Sequence, residues 1–332
     1  MPEAQTTVAI PTRNGGELLL RTLAALERQT VKHELLVCDS GSTDETVRRA
    51  RERGARVLEI PPSRFGHGAT RNLLMDRASG RSVAFLTQDA EPADERWLER
   101  LVAGLELAPD VGIVCGPYKP RADAPAAVRI ELEQWFASLA PDGAPTVERL
   151  SAEERSTLRV GALIGRRGFF TDANACLARS AWERVPFRDV AYAEDRVLAI
   201  DMLRAGYAKA YVPAAAVVHS HDYTPTQELR RCFDEWRGLR EVYGWREPAH
   251  PGRLLRRLRG EVGQARRELL AEGLAPARRR TALAAIAGRQ LARLLGALLG
   301  SRADLLPARV RAALSLERRE GFQAVEWGDA NR

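Results

Sequence analysis

Val83-Ala84-Phe85-Leu86-Thr87-Gln88-Asp89-Ala90 is a short apolar run that ends in a polar loop with a single carboxylate. A run of this length with polar flanks is typical of a strand buried in a sheet. The stretch Val217-Val218-His219-Ser220-His221-Asp222 has the same form, with imidazoles at its end. Because open α/β sheets bind ligands at the carboxyl ends of their strands, we expect Asp89 and the histidines to meet at one edge.

The first 120 residues alternate short apolar runs with amphipathic stretches. Strands are predicted at 6–10, 34–38, 57–60, 83–86 and 111–115. Asn14 with Glu17, and Ser42 with Glu45, have the spacing of a capping box, so Asn14 and Ser42 are expected to cap the helices that follow. Strands separated by helices of about ten residues indicate βαβ units and a parallel sheet.

The rest of the chain is less regular. Residues 119–168 are rich in Pro, Gly, Asp and Arg, with a helix predicted near 130–136. Such a long irregular stretch inside a domain is usually functional or disordered. Regular structure is predicted to resume at 169–177, with a helix at 196–205 and one strand at 211–219. From about Thr226 the pattern is helical to the end of the chain, interrupted by prolines.

Composition places the chain among ordinary globular proteins. It has 332 residues, of which 45% are hydrophobic and 29% charged. The four cysteines are scattered without a C-x-x-C pair, which favours a reducing cytoplasm over a disulfide framework or a zinc ribbon. No basic and apolar leader precedes Val8, and no uncharged apolar run of about 18 residues is present. We therefore predict neither a signal peptide nor a membrane span.

The net charge of +7 is distributed unevenly. Residues 251–332 hold 17 arginines against 8 acids, a charge of +9, whereas residues 1–250 carry −2. The first 250 residues thus lack the electrostatic footprint of a nucleic-acid partner. The apolar stretch 281–298 has the basic flanks Arg278-Arg279-Arg280 and Arg302. Such flanks fit a helix lying on the anionic inner face of the plasma membrane, and equally a helical bundle or a homodimer interface.

The loop Asp39-Ser40-Gly41-Ser42-Thr43-Asp44 joins the second predicted strand to a helix. Free N–H groups and the helix dipole favour anions at such a junction. Helix capping accounts for the presence of Ser42 and Asp44 in this loop, but it does not account for Asp39. We expect Asp39 to accept a hydrogen bond from a base or a ribose.

Arg71 lies at the start of a predicted helix, in Gly66-His67-Gly68-Ala69-Thr70-Arg71-Asn72. Its guanidinium could hold a diphosphate through two hydrogen bonds. The alternative is an ordinary surface arginine, one of 48 in this chain. The residues alone leave both interpretations open.

Asp89 is the strongest candidate for a metal ligand. A hard divalent cation takes oxygen ligands and keeps water and substrate phosphates, so one or two protein ligands are enough. His219 or His221 could add an imidazole. The other histidine would then be a hydrogen-bonded wall residue.

Glu194 and Asp195 precede an amphipathic helix. The helix dipole alone can explain either acid. The sharper hypothesis has Asp195 deprotonate an acceptor hydroxyl, with Glu194 orienting or screening it. Residues 169–174, which include Asp172 and Asn174, could line the acceptor side or form a packed edge strand.

In their order along the chain, these stretches resemble an inverting family 2 glycosyltransferase with the GT-A fold. The stretches that carry the resemblance are Pro11-Thr12-Arg13-Asn14, 39–44, 68–72, Glu194-Asp195 and His219. Leu86-Thr87-Gln88-Asp89-Ala90 and His219-Ser220-His221-Asp222-Tyr223 most resemble the rhamnosyltransferase-like branch. The resemblance covers about residues 5–245.

The resemblance implies a Rossmann-like mixed sheet flanked by helices over 1–245, with a nucleotide-binding half (1–118) and an acceptor half (119–245). Residues 246–332 would be a basic helical extension. It also implies a dTDP- or UDP-linked sugar donor and a glycan or lipid-linked acceptor. Donor contacts would come from Pro11, Arg13, Asn14, Asp39, Ser40, Arg71, Gln88 and Asp89.

The resemblance further implies a Mg²⁺ or Mn²⁺ ion held by Asp89 and His219, with Asp195 as the base and Glu194 supporting it. Asp172, Asn174 and His221 would lie on the acceptor side. The family's metal motif is often Asp-x-Asp, whereas Gln88-Asp89-Ala90 has a single acid. Phosphates, water and His219 would then complete the metal shell.

Three other function classes compete with this hypothesis. A sugar nucleotidyltransferase would need a more basic, Gly-rich first loop than 11–16 provides. A dinucleotide-dependent oxidoreductase is disfavoured because no G-x-G-x-x-G follows the first strand. A catalytically idle nucleotide-sugar-binding scaffold with a membrane-docking tail would show no metal-dependent release of nucleoside diphosphate.

Overall fold

The computed structural model describes residues 5–317. In chain order the strands are β1 (Thr6–Thr12), β2 (Glu34–Asp39), β3 (Arg56–Glu59), β4 (Ser82–Leu86), β5 (Glu91–Pro92), β6 (Val111–Cys115), β7 (Tyr118–Lys119), β8 (Thr146–Glu148), β9 (Asn174–Ala178), β10 (Ala208–Tyr211) and β11 (Val217–Val218). The α-helices are α1 (Gly16–Glu27), α2 (Thr46–Glu52), α3 (His67–Arg77), α4 (Trp97–Ala103), α5 (Ala126–Leu139), α6 (Ala152–Thr157), α7 (Arg179–Trp182), α8 (Glu194–Ala205), α9 (Pro225–Tyr243), α10 (Pro251–Ala271), α11 (Pro276–Gly300) and α12 (Ala308–Leu314).

The main sheet has the strand order β3-β2-β1-β4-β9-β6-β10-β8. Strands β1 to β4 pair in parallel, which confirms the βαβ pattern predicted for the first part of the chain. Strand β9 runs antiparallel between β4 and β6, and β8 runs antiparallel to β10. The sheet is therefore mixed, as the family resemblance implied.

Apolar side chains cover both faces of this sheet. Leu19, Leu23 and Leu26 of α1 share one helix face and pack with Val8 and Ile10 of β1. Each such fully buried side chain contributes about 2 kcal/mol. The opposite face packs against α3 and α8. The strand ends are thereby fixed from both sides, and their loops can carry polar side chains.

The two predicted helix caps are wrong. Helix α1 begins after Gly15, without a side-chain cap, because Asn14 adopts a positive φ of 48° and accepts a hydrogen bond from the Thr43 N–H. Helix α2 begins after Glu45, and Ser42 instead accepts a hydrogen bond from the Asn14 N–H. Both side chains tie two neighbouring loops to each other, a contact that local spacing does not reveal.

The single strand predicted at 211–219 is also wrong. The chain leaves the main sheet after β10, and β11 belongs to a second small sheet of order β5-β11-β7. A turn closed by the Ala215 N–H and the Val212 carbonyl separates the two strands. Apolar residues continue through this turn, so the sequence pattern alone does not show the change of sheet.

Helices α9 to α11 pack together against the sheet domain. A side chain at Gly296 or Gly300 of α11 would overlap the carbonyl oxygens of Leu229 or Phe233 in α9, so the two helices are in backbone contact. By length and composition alone α11 could cross a membrane, contrary to the sequence expectation, and 39% of its most apolar window is buried in the protein. Arg289 and Gln290 of α11 bond to Glu131, which favours packing inside the protein over a lipid environment.

Candidate active site

Asp89 and the two histidines come together, as the opening pattern predicts. Asp89 follows β4, and the pairing of β11 with β5 and β7 brings His219 beside it. Asp89 Oδ1 lies 3.5 Å from His219 Nδ1, and Asp89 Oδ2 lies 3.6 Å from His221 Nε2. The three potential ligand atoms all lie within 4.8 Å of one another. We call Asp89, His219 and His221 the acid–imidazole cluster.

The donor set of this cluster fits a divalent cation. Burial lowers the pKa of His219, and burial together with the neighbouring His219 lowers the pKa of His221 to about 4. Both imidazoles are therefore neutral near pH 7 and keep a lone pair for a ligand. One carboxylate and two neutral imidazoles suit a transition-metal ion such as Mn²⁺.

Two features of the cluster differ from the sequence expectation. His221, predicted on the acceptor side, lies as close to Asp89 as His219 does. Arg121 was not predicted at all, yet its Nη2 donates to the Asp89 carbonyl oxygen at 2.8 Å. Arg121 comes from the irregular segment after β7, and no local motif marks it.

Arg71 and Asp172 form a second charged group with Glu194. Arg71 is buried; its Nε lies 2.6 Å from Asp172 Oδ2, and its Nη1 lies 3.1 Å from Glu194 Oε1. We call Arg71, Asp172 and Glu194 the arginine–carboxylate cluster. Arg71 is thus not the free guanidinium that a diphosphate clamp requires. Asp172 is likewise not a free acceptor-side carboxylate.

Asp195 lies next to this cluster, in the first turn of α8. Partial burial and, to a smaller extent, the nearby Asp172 carboxyl raise the pKa of Asp195 to about 7. The residue before the helix, Ala193, has a positive φ of 66°, a strained conformation for a residue with a side chain. Strain at this point and a perturbed carboxyl beside it are typical of a functional site.

The expected nucleotide contacts form a separate group at the ends of β1 and β2. Asp39 is buried and accepts hydrogen bonds from the N–H groups of Gly41 and Ser42, as well as from the Ser42 hydroxyl. The Ser40 hydroxyl donates to the Thr12 carbonyl oxygen. The local loop therefore accounts for much of the hydrogen bonding of Asp39, which the sequence interpretation did not foresee.

Gln88 connects this group to the loop after β4. Its Oε1 accepts hydrogen bonds from the Thr12 hydroxyl at 2.7 Å and from the Arg13 N–H at 2.9 Å. The loop of Pro11, Arg13 and Asn14 is thereby held beside the Asp89 loop. These residues do not line the cavity that contains Asp89 and Asp195.

Asn174 is not available to an acceptor. It is fully buried; its Nδ2 donates to the carbonyl oxygens of Pro117 and Ala215, and its Oδ1 accepts from the Trp97 indole. The amide satisfies backbone groups where the chain leaves the main sheet. Its predicted acceptor role is wrong because its hydrogen-bonding capacity is used inside the protein.

One cavity of about 510 Å³ joins the acid–imidazole cluster, the arginine–carboxylate cluster and Asp195. One wall is apolar and includes Trp135 and Phe136 of α5 together with Phe169. A second wall comes from the C-terminal helices, whose cavity-lining side chains include Arg231 and Glu235 of α9 and Arg289 and Arg293 of α11.

The C-terminal wall is fixed by a buried network of charges. Arg289 and Arg293 of α11 each pair with Glu131 of α5 and Glu228 of α9. This network is not among the features expected from the sequence. Two arginines four residues apart in an apolar stretch are the signal that could have indicated a buried ionic contact.

Sequence comparison places the chain beside known sugar transferases. The Glycosyl transferase family 2 profile matches residues 7–154. The O-antigen chain rhamnosyltransferase RfbN of Salmonella typhimurium is 34% identical over 235 residues, which cover 69% of this chain and 70% of that protein. The O-antigen chain rhamnosyltransferase WbaN of Salmonella anatum is 33% identical with the same coverage.

Structural comparison gives the same fold. The mannosyltransferase PcManGT from Pyrobaculum calidifontis, solved in complex with GDP-Man and Mn²⁺, is similar with a TM-score of 0.57 and 19% identity, covering 90% of this chain and 86% of that chain. This likeness confirms the predicted GT-A architecture, a mixed α/β sheet flanked by helices with C-terminal helices.

Proposed function

The chain belongs to glycosyl transferase family 2, and from this premise we propose that it moves a sugar from a nucleoside-diphosphate donor to an acceptor hydroxyl with inversion at the anomeric carbon. The observation that carries the proposal is the shared cavity, which contains a three-ligand acid–imidazole cluster and a carboxyl with a pKa raised to about 7. A metal-binding group and a base in one cavity are what a single displacement of a diphosphate requires.

Asp89, His219 and His221 are the residues that would hold a Mg²⁺ or Mn²⁺ ion. A bound divalent ion would supply charge neutralisation for the departing diphosphate. Asp89 would provide an oxygen ligand. The two neutral imidazoles would add two nitrogen ligands to the single acid of the Gln88-Asp89-Ala90 motif. Tyr118 packs edge-on against the His219 ring and Tyr223 stacks on His221, so both imidazoles are held in place.

Asp195 is the proposed base. A carboxylate with a pKa near 7 is ionised in half of the molecules at neutral pH and accepts a proton more readily than an ordinary aspartate. It removes the proton of the acceptor hydroxyl as that oxygen bonds to the anomeric carbon. Glu194 is tied to Arg71 and holds the start of α8 in position.

The relatives support a proposal for the substrates. RfbN and WbaN are O-antigen chain rhamnosyltransferases. This supports rhamnose as the transferred sugar, a dTDP- or UDP-linked donor, and an acceptor that is a growing surface glycan or its lipid-linked form. The apolar wall of the cavity with Trp135 and Phe169 offers flat surfaces for such an acceptor.

A panel of nucleotide sugars tests the function directly. The full-length protein is incubated with each donor and Mn²⁺, and both thermal stabilisation and release of nucleoside diphosphate are measured. We expect stabilisation by one class of donor and metal-dependent release that increases with a rhamnose-accepting glycan. Donor binding without any metal-dependent release would instead indicate the idle scaffold.

The C-terminal helices suggest where the enzyme acts. Leu291 and Leu295 are 49% and 42% exposed on α11. Exposed arginines precede them in the sequence, on α10 and at the start of α11: Arg256, Arg257, Arg259, Arg266, Arg267, Arg278 and Arg280. Apolar and cationic side chains together fit the anionic inner face of the plasma membrane, and we include peripheral binding there in the proposal.

Vesicle sedimentation of the full-length protein tests the membrane contact. We expect binding to anionic but not to neutral vesicles, weakened by salt and by Leu291→Glu. If the protein stays in the supernatant at low salt and forms dimers that Leu291→Glu disrupts, the exposed leucines are a homodimer interface instead.

A further inference from the structure

One partly buried arginine of the cavity differs from the others in its contacts. Arg71, Arg196, Arg289 and Arg293 line the cavity and each form an ion pair with a carboxylate. Arg257 also lines the cavity, but its side chain is exposed to solvent. Arg231 lines the same cavity, yet it makes no hydrogen bond or ion pair with any of the residues 5–317 that the structure describes.

The acids nearest to Arg231 along its helix are already engaged. Glu228, three residues before it, pairs with Arg293 at 2.5 Å and with Arg289 at 3.4 Å. Glu235, four residues after it, pairs with Arg196. Tyr192, Glu235 and Glu228 act on the Arg231 charge electrostatically and raise its pKa. Because the two carboxylates are bonded to other arginines, the hydrogen-bond donors of the Arg231 guanidinium remain available. A partly desolvated guanidinium in this state is stabilised strongly by an anion.

The position of Arg231 identifies the kind of anion. It is placed on the C-terminal wall of the cavity that also contains Asp89, His219 and His221. A guanidinium matches the geometry of phosphate oxygens through paired N–H donors.

We propose that Arg231 binds a phosphate group of a substrate in this cavity, with the diphosphate of the sugar donor as the favoured source. This inference rests on the proposed function. During transfer the bond between the anomeric carbon and the diphosphate oxygen breaks, and its electron pair leaves with the diphosphate. The acceptor oxygen bonds to the same carbon and its proton passes to Asp195. Arg231 stabilises the negative charge that develops on the leaving diphosphate.

The test compares Arg231→Gln, Arg231→Lys and the control Arg230→Gln. Arg230 is the adjacent arginine of α9 and does not line the cavity. Binding of UDP and dTDP, and of the corresponding monophosphates, is measured by calorimetry with Mn²⁺ and with EDTA. Circular dichroism melting checks that each variant is folded, and initial rates give KM and kcat for donor and acceptor.

If Arg231 binds the donor, Arg231→Gln weakens nucleoside diphosphate binding about tenfold to hundredfold, the range for a lost hydrogen bond between charged groups. Monophosphate binding changes much less, and the lysine variant lies between. If the phosphate belongs to the acceptor, diphosphate binding is unchanged and the acceptor KM rises by a similar factor. The control matches the wild type in both cases.

The proposal is overturned if Arg231→Gln matches the wild type in diphosphate binding and in both KM values, or if Arg230→Gln loses as much. If Arg231→Gln does not fold, the same binding and KM measurements are made on the folded Arg231→Lys protein, and the same outcomes support or overturn the proposal. Failure of the proposed function gives a different result: the wild-type protein itself would bind neither nucleoside diphosphate in the presence of Mn²⁺.

Discussion

The two charged clusters of the cavity differ in how their charges are balanced. In the arginine–carboxylate cluster, the Arg71 guanidinium lies 2.6 Å from Asp172 and 3.1 Å from Glu194, and all three side chains are buried. In the acid–imidazole cluster, Asp89 lies 3.5 and 3.6 Å from two imidazoles that are neutral near pH 7. In the first cluster the Arg71 guanidinium contacts both carboxyls directly, and burial raises the pKa of Asp172 to about 8. In the second cluster the nearest guanidinium, that of Arg121, lies 3.7 Å from Asp89 Oδ2.

This difference separates structural from functional charge. In a buried ion pair, the attraction between the two charges offsets the cost of removing them from water. Removal of one partner leaves the other charge buried and uncompensated. A carboxylate and two neutral imidazoles in this arrangement gain energy when a divalent cation binds. We therefore expect changes in the first cluster to affect folding and changes in the second to affect activity. Asp195, which lies beside the first cluster, is the most informative residue for testing this distinction.

Asp195→Asn has the largest expected effect. Loss of a general base lowers the rate of transfer by about 10²- to 10⁴-fold. Folding should be unaffected or slightly more stable at neutral pH, because the raised pKa means that the ionised carboxyl destabilises the fold. Initial rates and chemical denaturation measure the two effects. Near-normal turnover would remove Asp195 as the base, and a large loss of stability would assign it to the structural cluster.

Arg71→Met tests the structural cluster itself. It leaves Asp172 and Glu194 without their cation, so the free energy of unfolding should fall by about 3–5 kcal/mol. Denaturant titration measures this change, and Arg64→Met is the matched control. Arg64 is exposed and belongs to the segment just before α3, so its replacement should change stability by about 0.5 kcal/mol or less. A stable Arg71→Met protein that no longer binds nucleoside diphosphate would restore the diphosphate clamp of the sequence hypothesis.

Asp89→Asn tests the acid–imidazole cluster. Transfer should fall by about 100-fold, because the site loses its only carboxylate ligand among the residues of the cluster. Stability without metal should fall by about 1 kcal/mol or less, since the Arg121 guanidinium lies 3.7 Å from Asp89 Oδ2 and keeps its hydrogen bond to the Asp89 carbonyl oxygen. Thermal stabilisation of the wild type by Mn²⁺ should disappear in the variant. Equal stabilisation of both proteins would place the metal elsewhere.

The pH dependence has the smallest expected effect. With the pKa of Asp195 at about 7, the transfer rate at limiting substrate should rise about tenfold per pH unit below 7 and level off above it. Stability should change in the opposite sense, falling as the pH rises from about 4 to about 7, because the folded state binds the proton more tightly there. Both trends should be absent in Asp195→Asn. Rate profiles and denaturation at several pH values provide the check.

The parts of the molecule that the sequence predicts are those determined by local periodicity. Strands β1 to β4 and the meeting of Asp89 with His219 follow from apolar runs that end in polar residues. The change of sheet after Tyr211 does not, because the apolar pattern continues through the turn and only the tertiary pairing distinguishes β10 from β11. The domain boundary predicted at residue 245 remains a prediction. Side chains from both sides of this position line one cavity.

The partners of the charged residues are the least predictable part of the site. Arg71 pairs with Asp172 across 101 positions of sequence, and Arg289 pairs with Glu131 across 158. Asn14 and Ser42 have the spacing of helix caps but bond between loops instead. Short-range spacing contains no information about such contacts, so a sequence hypothesis names the right residues more readily than it names their roles.

The close contact between α9 and α11 has a consequence for motion. Because the glycines at 296 and 300 bring the two helix backbones together, neither helix can slide or rotate without a steric clash against the other. The two helices of the C-terminal wall therefore form a single rigid unit, and any hinge must lie outside the helix pair. Substrate entry would then displace Arg231, Arg289 and Arg293 together rather than one at a time.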